Sequence, residues 1–294
     1  MADAFDARHV RRAFSRAAHG YSAAAALQRE IQSRLLESLD YLDDPALGRA
    51  PPATVLDLGS GPGHATQVLR TRWPKARVVA VDLALPMLRQ ARTGWWRPAA
   101  RVCGDARALP LAAGSVDVLF SNLCLQWVED LPAAFAGFRR VLRPGGLLLF
   151  STLGPDTLQE LRAAFAAADE APHVSAFASI ARVGDALLQA GFRDPVLDRD
   201  LFVHRHADLP ALMRELRAIG ATNALHARRH TLTGRARFSA AAAAYEPLRS
   251  GGMLPATWEA IYAHAWAPEA GTPLREHCVE TVGVPLERIP IRRR

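Results

Sequence analysis

One stretch of the sequence decides the fold: Val55-Leu56-Asp57-Leu58-Gly59-Ser60-Gly61-Pro62-Gly63. An apolar run that contains an acid and leads into a glycine-rich turn is typical of a buried strand followed by a helix. Glycines let the backbone adopt positive φ and pass close to a ligand, and a helix N-terminus favours a negative group. A dinucleotide site would place glycine or alanine at the sixth position from Gly59, which here is His64. The sequence therefore does not match the dinucleotide fingerprint.

Strands and helices alternate on both sides of this motif. The predicted strands are Thr54–Leu58, Arg77–Val81, Ala100–Cys103, Val116–Ser121, Leu147–Thr152, Val196–His204 and Trp258–Trp266. The predicted helices are 23–39, His64–Arg72, Leu85–Arg92, Leu131–Leu142, Asp156–Asp169, Ile180–Gln189, Leu209–Ile219 and Arg235–Leu248. This alternation predicts an α/β fold with a doubly wound, mostly parallel seven-stranded sheet.

We divide the chain into four parts on this basis. Residues 1–49 form an N-terminal helical segment that covers the ligand site, and residues 50–206 form the Rossmann-like core. Residues 207–252 form a helical cap insertion, and residues 253–294 carry the final strand and a C-terminal tail. Within the core, Pro144-Gly145-Gly146 predicts a stop between a helix and the next strand.

Acidic residues recur where the predicted parallel strands end. Asp57 closes the first strand, Asp82 follows the second and lies 19 positions after Gly63, and Asp105-Ala106 follows the third. An acid after the second strand is able to accept both hydroxyls of a ribose, and the ends of parallel strands meet in one crevice. The G-x-G-x-G spacing after Asp57-Leu58 resembles the glycine motif of proteins that bind S-adenosylmethionine (SAM).

Composition limits the other classes of function. Half of the 294 residues are hydrophobic, so the chain is able to build a packed core, and no apolar run reaches about 18 residues, so we expect no membrane span. The N-terminus lacks an apolar signal core, so we expect a cytoplasmic protein. Cys103, Cys124 and Cys278 lie far apart, which fits reduced thiols.

The net charge of +7 has two possible interpretations. A basic chain is able to bind nucleic acid, yet Lys75 is the one lysine among 36 basic residues and the arginines are scattered among many alanines. That pattern favours a compositional background over a phosphate-binding surface, so we predict no nucleic-acid partner. An acidic partner protein remains compatible with the charge.

The motifs together resemble class I SAM-dependent methyltransferases over about residues 50–152. The shared segments are DLGSGPG, VD, GDA, SNLCLQWVEDL and RVLRPGGLLLFST. The flanking segments resemble the malonyl-acyl carrier protein O-methyltransferases of biotin synthesis over nearly the whole chain. These segments are Phe14-Ser15-Arg16-Ala17-Ala18-His19-Gly20-Tyr21 with Leu27-Gln28, Gln126-Trp127, Thr152–Pro155 with Pro172-His173, and Ile219–Asn223. The Ala- and Arg-rich cap and the Arg292–Arg294 tail depart from that pattern and leave the contacts of the cap open.

The resemblance implies SAM as co-substrate and a set of site residues. The expected SAM-binding residues are Tyr21, Gln28, Asp57, Gly59, Gly61, Gly63, Asp82, Leu83, Asp105, Ala106, Asn122 and Leu123. Arg228 is the leading candidate for the cation that binds a substrate carboxylate, with Tyr21 as a second, and Trp127 is expected in the pocket wall. His9, His19 and His64 have no ligand spacing, so we predict no metal site.

The implied acceptor is the malonyl thioester of acyl carrier protein or of coenzyme A. Its free carboxylate is ionised at neutral pH because a carboxyl pKa is about 4, so no catalytic base is required and none is predicted. Methylation would give the ester that primes pimeloyl and biotin synthesis. Two alternatives stay open: a small-molecule methyltransferase of the quinone-precursor type, and a non-catalytic SAM-binding assembly factor.

Overall fold

A computed structural model describes residues 5–42, 50–91, 99–231, 233–271, 274–276 and 279–281. The helices are α1 Ala7–Ala17, α2 Tyr21–Ala24, α3 Ala26–Glu37, α4 His64–Arg72, α5 Leu85–Gln90, α6 Leu131–Val141, α7 Gln159–Ala166, α8 Ile180–Gln189, α9 Leu209–Ala218 and α10 Arg235–Tyr245. The strands are β1 Thr54–Leu58, β2 Arg77–Asp82, β3 Ala100–Cys103, β4 Val116–Asn122, β5 Leu142–Leu153, β6 Arg193–His206, β7 Leu254–Trp266, β8 Leu274–Glu276 and β9 Val279–Thr281. Arg92, Cys278 and the Arg292–Arg294 tail, on which predictions were made, lie outside the described residues.

Seven of the strands form one sheet in the order β3-β2-β1-β4-β5-β7-β6. Strand β1 lies between β2 and β4 and is parallel to both, so the direction of winding reverses there. Strand β7 runs antiparallel between β5 and β6. The mostly parallel, doubly wound sheet predicted from the sequence is confirmed. In such sheets ligands bind outside the carboxyl ends of the strands at the reversal, where the Gly59–Gly63 turn lies.

Successive residues of the central strands contact two different layers of helices. Leu56 of β1 belongs to the cluster that contains Phe135 of α6 and Leu187 of α8. Its neighbour Val55 belongs to the cluster on the other face, which contains Leu69 of α4. Because side chains alternate along a strand, the apolar run of β1 is buried on both sides, as a parallel sheet requires.

A third apolar cluster joins the cap helices to the sheet. Tyr245 of α10 is fully buried in it, together with Leu161 of α7 and Trp258 of β7. The Tyr245 hydroxyl donates a hydrogen bond to the carbonyl of Pro255, which precedes the buried part of β7. Leu27 of α3 belongs to the same cluster, so the cap and the N-terminal segment share one core.

The N-terminal segment differs from its prediction. The prediction of one helix over 23–39 is wrong, because the chain leaves helical geometry at Ala25, between α2 and α3. Ala25 is almost completely buried, so tertiary packing rather than helix propensity sets the break. Helix α1 was not predicted at all. Its signal was present: Asp6 accepts a hydrogen bond from the His9 amide at 3.0 Å, as an N-cap does, and Val10 begins a buried stripe.

The predicted stop at Pro144-Gly145-Gly146 is also wrong in detail. Helix α6 ends at Val141, and β5 begins directly at Leu142, which pairs with Val116. The register then shifts, and regular pairing resumes at Leu147. The segment is therefore an irregularity inside a long strand, and Gly145 supplies the positive φ of 69° that the irregularity needs.

The described residues form neither a membrane-spanning helix nor a metal-binding cluster. None of their helices is long and apolar enough to cross a membrane. Across those same residues, no group of three or more His, Cys, Asp or Glu side chains is arranged to hold a metal ion.

We expect Phe135→Ala to lower the free energy of unfolding by about 3–5 kcal/mol, because it leaves a cavity in the larger helix–sheet core. The matched control is Leu188→Ala on α8, whose side chain is 55% exposed; it should change stability by less than about 1 kcal/mol. Denaturant unfolding measures both. Equal losses in the two variants would contradict the description of this core.

Candidate functional site

The glycine turn after β1 is held against the end of β2. The amides of Gly59 and Ser60 donate to the carbonyl of Val81, at 2.8 and 3.0 Å. Gly59, Gly61 and Gly63 all have positive φ, between 53° and 82°. A side chain at Gly59 would place its Cβ 2.6 Å from the Cβ of Cys124, so the turn is both strained for other residues and sterically closed at that point.

Asp82 holds this turn in place by hydrogen bonds to both oxygens of its carboxylate. Oδ2 accepts the Gly61 amide at 2.8 Å, and Oδ1 accepts the Ala84 amide at 2.7 Å. Burial raises the pKa of Asp82, while the two amide hydrogen bonds oppose the rise. A carboxylate has about four acceptor sites, so Asp82 keeps capacity for hydroxyl donors of a ligand.

A crevice opens beside the turn, with a volume of about 100 Å³; we call it the glycine-turn crevice. The predicted site residues that line it are Tyr21, Gly59, Gly61, Asp82, Leu83, Asp105, Ala106, Asn122 and Leu123. The N-terminal segment covers it through a further set that the sequence analysis did not assign: Phe5, Ala7, Val10, Arg11 and Phe14. The carboxyl ends of β1, β2, β3 and β4 thus form the floor, and α1 forms the roof.

Asp57, Gln28 and Gly63 lie elsewhere. Asp57 and Gln28 line a smaller side cavity of about 30 Å³, which shares Tyr21 and Gly61 with the glycine-turn crevice. Asp57 is buried, accepts a hydrogen bond from Thr66 and has a pKa raised by burial to about 7. Gly63 begins α4 in left-handed geometry and packs against Ala91, so its role is in the turn itself.

Asp105 is tied to a neighbour that the sequence analysis missed. Arg107 contacts both carboxylate oxygens of Asp105, the shortest distance being 2.6 Å, and the Arg107 amide also donates to Oδ1. These hydrogen bonds outweigh the effect of burial and hold the pKa of Asp105 below its usual value. The acid is thereby fixed at the mouth of the crevice beside the backbone of Ala106.

The exit of β4 supplies the wall opposite the glycine turn. Asn122 donates to the carbonyl of Gln28 at 3.1 Å and accepts from Ser151 at 2.7 Å. Leu123 has a positive φ of 50°, uncommon for leucine, and its amide is held by the backbone and side chain of Ser151. Burial raises the pKa of the Cys124 thiol to about 12, so the thiol is protonated and is not a nucleophile.

A second and larger cleft of about 380 Å³ adjoins the glycine-turn crevice; we call it the basic cleft. Its histidine and arginine lining residues are His9, His173, Arg217, Arg228 and Arg229, and among the described residues that line it none is an Asp or a Glu. Apolar side chains of α7, α9 and β7 complete the wall. A cleft with this lining favours an anionic ligand with an apolar body.

The three arginines of the basic cleft have different surroundings. Arg229 donates two hydrogen bonds to Asp169, at 3.0 and 2.9 Å, so its guanidinium forms a structural ion pair. Arg228 is held by Asp6 at 3.3 Å and by the carbonyl of Leu225 at 2.8 Å. A guanidinium has five N–H donors, so Arg228 is positioned by two contacts and retains others for a ligand. Arg217 is exposed, and no carboxylate in the described ranges pairs with it.

Four residues line both the glycine-turn crevice and the basic cleft: Phe14, Tyr21, Leu123 and Trp127. Trp127 is fixed between Phe5 and Phe14 by edge-to-face ring contacts at 5.8 and 5.6 Å. Burial raises the pKa of Tyr21, so its hydroxyl stays neutral. These four side chains form the boundary between the two cavities, where a group bound in one cavity would lie next to a group bound in the other.

The residues present fit the SAM that the sequence predicts. Asp82 supplies a half-buried acceptor for hydroxyl groups, and a Cβ added to Gly61 would meet Tyr21 at 4.0 Å and nothing closer, so the backbone is open to a ligand there. Ser60 Oγ is a buried polar atom with no hydrogen-bond partner and lines the side cavity next to Gly61. These groups would hold SAM, which would supply the transferable methyl group.

Comparison with known proteins defines the class. Residues 56–150 match the family model described as "Methyltransferase domain". Two solved structures share the fold: a candidate methyltransferase from Bacillus halodurans C-125 (TM-score 0.54, 16% identity, 80% of this chain and 99% of that one) and the YcgJ protein from Bacillus subtilis (TM-score 0.53, 14% identity, 74% and 92%). The fold is that of the class I methyltransferases.

Curated relatives define the family within that class. The chain is 60% identical to the malonyl-[acyl-carrier protein] O-methyltransferase of Xylella fastidiosa (strain M23), over 99% of this chain and 98% of the relative. It is 46% identical to the protein of that name from Laribacter hongkongensis (strain HLHK9), over 92% and 93%, and 45% identical to that from Gallionella capsiferriformans (strain ES-2), over 90% and 91%. The chain belongs to the malonyl-[acyl-carrier protein] O-methyltransferase family.

We expect Asp82→Ala to weaken SAM binding by about 1.5–3 kcal/mol, roughly 10- to 150-fold. The glycine turn would lose the hydrogen bond from the Gly61 amide to Asp82, and the ribose would lose a hydrogen-bond acceptor. The control is Asp117→Ala. Asp117 also accepts hydrogen bonds from two backbone amides, those of Ala53 and Thr54, but it lies near the start of β4, at the amino ends of the central strands. Calorimetric titration of both folded variants measures the difference. An unchanged affinity in Asp82→Ala would remove Asp82 from the site.

Proposed function

We propose that this chain transfers the methyl group of SAM to the free carboxylate of a malonyl thioester carried by acyl carrier protein. The observation that carries the proposal is the basic cleft, which joins the glycine-turn crevice and has cations and no acid among its described lining residues. The names of the relatives that are 45–60% identical to nearly the whole chain support the same acceptor. The methyl ester would then serve as the primer for pimeloyl and biotin synthesis.

The reaction needs alignment and not a base. The acceptor oxygen already carries a negative charge at neutral pH, so it forms a bond to the methyl carbon as the bond from carbon to sulfur breaks and the electron pair passes to sulfur. No proton is transferred. This agrees with the exit of β4, where Asn122 and Leu123 carry no basic group and burial keeps the Cys124 thiol protonated.

The protein's contribution would be positioning and exclusion of water. In the proposal, Arg228 binds one carboxylate oxygen of the malonyl group in the basic cleft, while Asp6 and the Leu225 carbonyl keep its guanidinium in place. Tyr21 and Leu123 form the wall where the two substrates meet. The positive charge of the fixed arginine also compensates the negative charge of the bound carboxylate in a site of low polarity.

The direct test supplies labelled SAM and malonyl carrier protein and measures label that base releases from the carrier. We expect the methyl group of SAM to label the malonyl carboxylate on the carrier. Base should release this label, because it cleaves the methyl ester. Label on a quinone precursor and not on the carrier would favour the small-molecule methyltransferase instead. Tight SAM binding with no transfer to either acceptor would favour the assembly-factor role.

We expect Arg228→Gln to lower kcat/KM for malonyl-pantetheine by about 10- to 150-fold, the cost of a lost charge-assisted hydrogen bond, with the loss mainly in KM. SAM affinity should not change, because Arg228 does not line the glycine-turn crevice. Arg217→Gln is the matched control from the same cleft and should stay within about threefold of wild type. The reverse order of effects would assign carboxylate binding to Arg217.

A further inference from the structure

Helix α1 presents a stripe of arginines to solvent. Arg8, Arg11, Arg12 and Arg16 are all exposed, and their spacing of three and four residues puts them on one side of the helix. Val10, Ala13 and Ala17 form the buried side. From Arg8 to Arg16 the stripe covers nine residues, or about 12 Å along the helix axis.

The positive charge of this stripe is not cancelled locally. Helix α1 contains no acidic residue, and no carboxylate within the described parts of the chain forms an ion pair with any of the four arginines. The nearest acid in sequence, Asp6, is already used by the His9 amide and by Arg228. Four like charges on one helix face repel each other, so a local structural role does not account for them, whereas an acidic partner would.

The position of α1 connects the stripe with both cavities. Its Phe14 lines the glycine-turn crevice and the basic cleft, and its His9 lines the basic cleft. Just before α1, the Asp6 amide donates to the carbonyl of Ala224 at 2.8 Å, which ties the helix to the segment that carries Arg228. Helix α9, which packs against α1, adds the exposed Arg217 at the basic cleft.

We propose that the α1 arginine stripe, with Arg217, is the docking surface for the acidic carrier protein, and that docking there directs the carrier's thioester arm into the basic cleft. The inference rests on the proposed function and adds the place of recognition. Carrier proteins of this kind are small and acidic, so the charges are complementary. A stripe of about 12 Å on the convex face of a helix presents its charges together to an acidic surface of the partner. No exposed aromatic side chain lies among the four arginines, which a single-stranded nucleic-acid surface would use for stacking.

The test compares two double charge reversals. Arg8→Glu/Arg12→Glu reverses two charges of the stripe, avoids Arg11, which lines the crevice, and introduces its first acid near the N-terminus of α1, where the helix dipole tolerates it. Lys75→Glu/Arg77→Glu is the control, and it changes the net charge by the same amount. Both residues are exposed and lie at the amino end of β2, whereas the crevice lies at the carboxyl ends of the strands. Each protein is assayed with malonyl carrier protein and with malonyl-pantetheine, which lacks the protein.

We expect the α1 variant to lose at least about tenfold in kcat/KM for malonyl carrier protein, mainly through KM, and to change by less than about twofold with malonyl-pantetheine. The control should stay within about twofold for both acceptors. Raising the salt concentration should lower the wild-type rate with the carrier and shrink its advantage over the α1 variant, because exposed charges are screened.

Three outcomes would overturn the docking surface, and a fourth would overturn the proposed function. An equal loss with both acceptors would mean that α1 acts only as the roof of the site. An equal loss in the two variants would mean that overall charge and not this surface attracts the carrier. A wild-type protein that methylates malonyl-pantetheine but not the carrier thioester would leave carboxyl methylation standing and remove the carrier, and inactivity with both would remove the proposed function itself.

Discussion

The backbone from Gly59 to Gly63 has to turn sharply at the end of β1, and the end of β2 holds it in that turn. Val81 accepts two amides of the turn, and Asp82 accepts the Gly61 amide through one oxygen and the Ala84 amide through the other. One carboxylate therefore fixes the starts of two strand-to-helix connections. The parallel register of β1 with β2 makes these contacts possible, and every ligand contact proposed in the crevice depends on them.

The two cavities differ in charge: the glycine-turn crevice is lined by two acids and two arginines, whereas the basic cleft is lined by arginines and by no acid among its described lining residues. On the crevice side, Asp105 is paired with Arg107, whereas Asp82 is held by the Gly61 and Ala84 amides, and we propose that Asp82 faces the positively charged donor. On the cleft side, we propose that Arg228 supplies positive charge for a carboxylate; Asp6 holds its guanidinium without lying in the cleft wall. The wall of Tyr21, Leu123 and Trp127 is apolar and half-buried, so attraction on either side is little weakened by water.

Much of the core was predictable because its signals are local. The apolar runs and glycine breaks gave β1, α4, β3 and α8 their observed bounds, and the acids after strands were predicted at the edge where Asp82 and Asp105 lie. The roof was harder to predict. Helix α1 has an N-cap at Asp6 and a buried stripe from Val10, but its arginines hide the apolar pattern. The break at Ala25 and the pairing of Arg228 with Asp6 depend on contacts between residues far apart in sequence, which no local pattern contains.

The central claim is that the donor and the acceptor carboxylate lie in adjoining cavities and meet at one wall. A crystal structure with S-adenosylhomocysteine and malonyl-pantetheine tests it most directly. The account predicts ribose hydroxyls on Asp82, the thioether sulfur beside Tyr21 and Leu123, and the malonyl carboxylate on Arg228 in the basic cleft. A carboxylate bound away from the arginines of that cleft, or an adenosine group in the basic cleft, would contradict it.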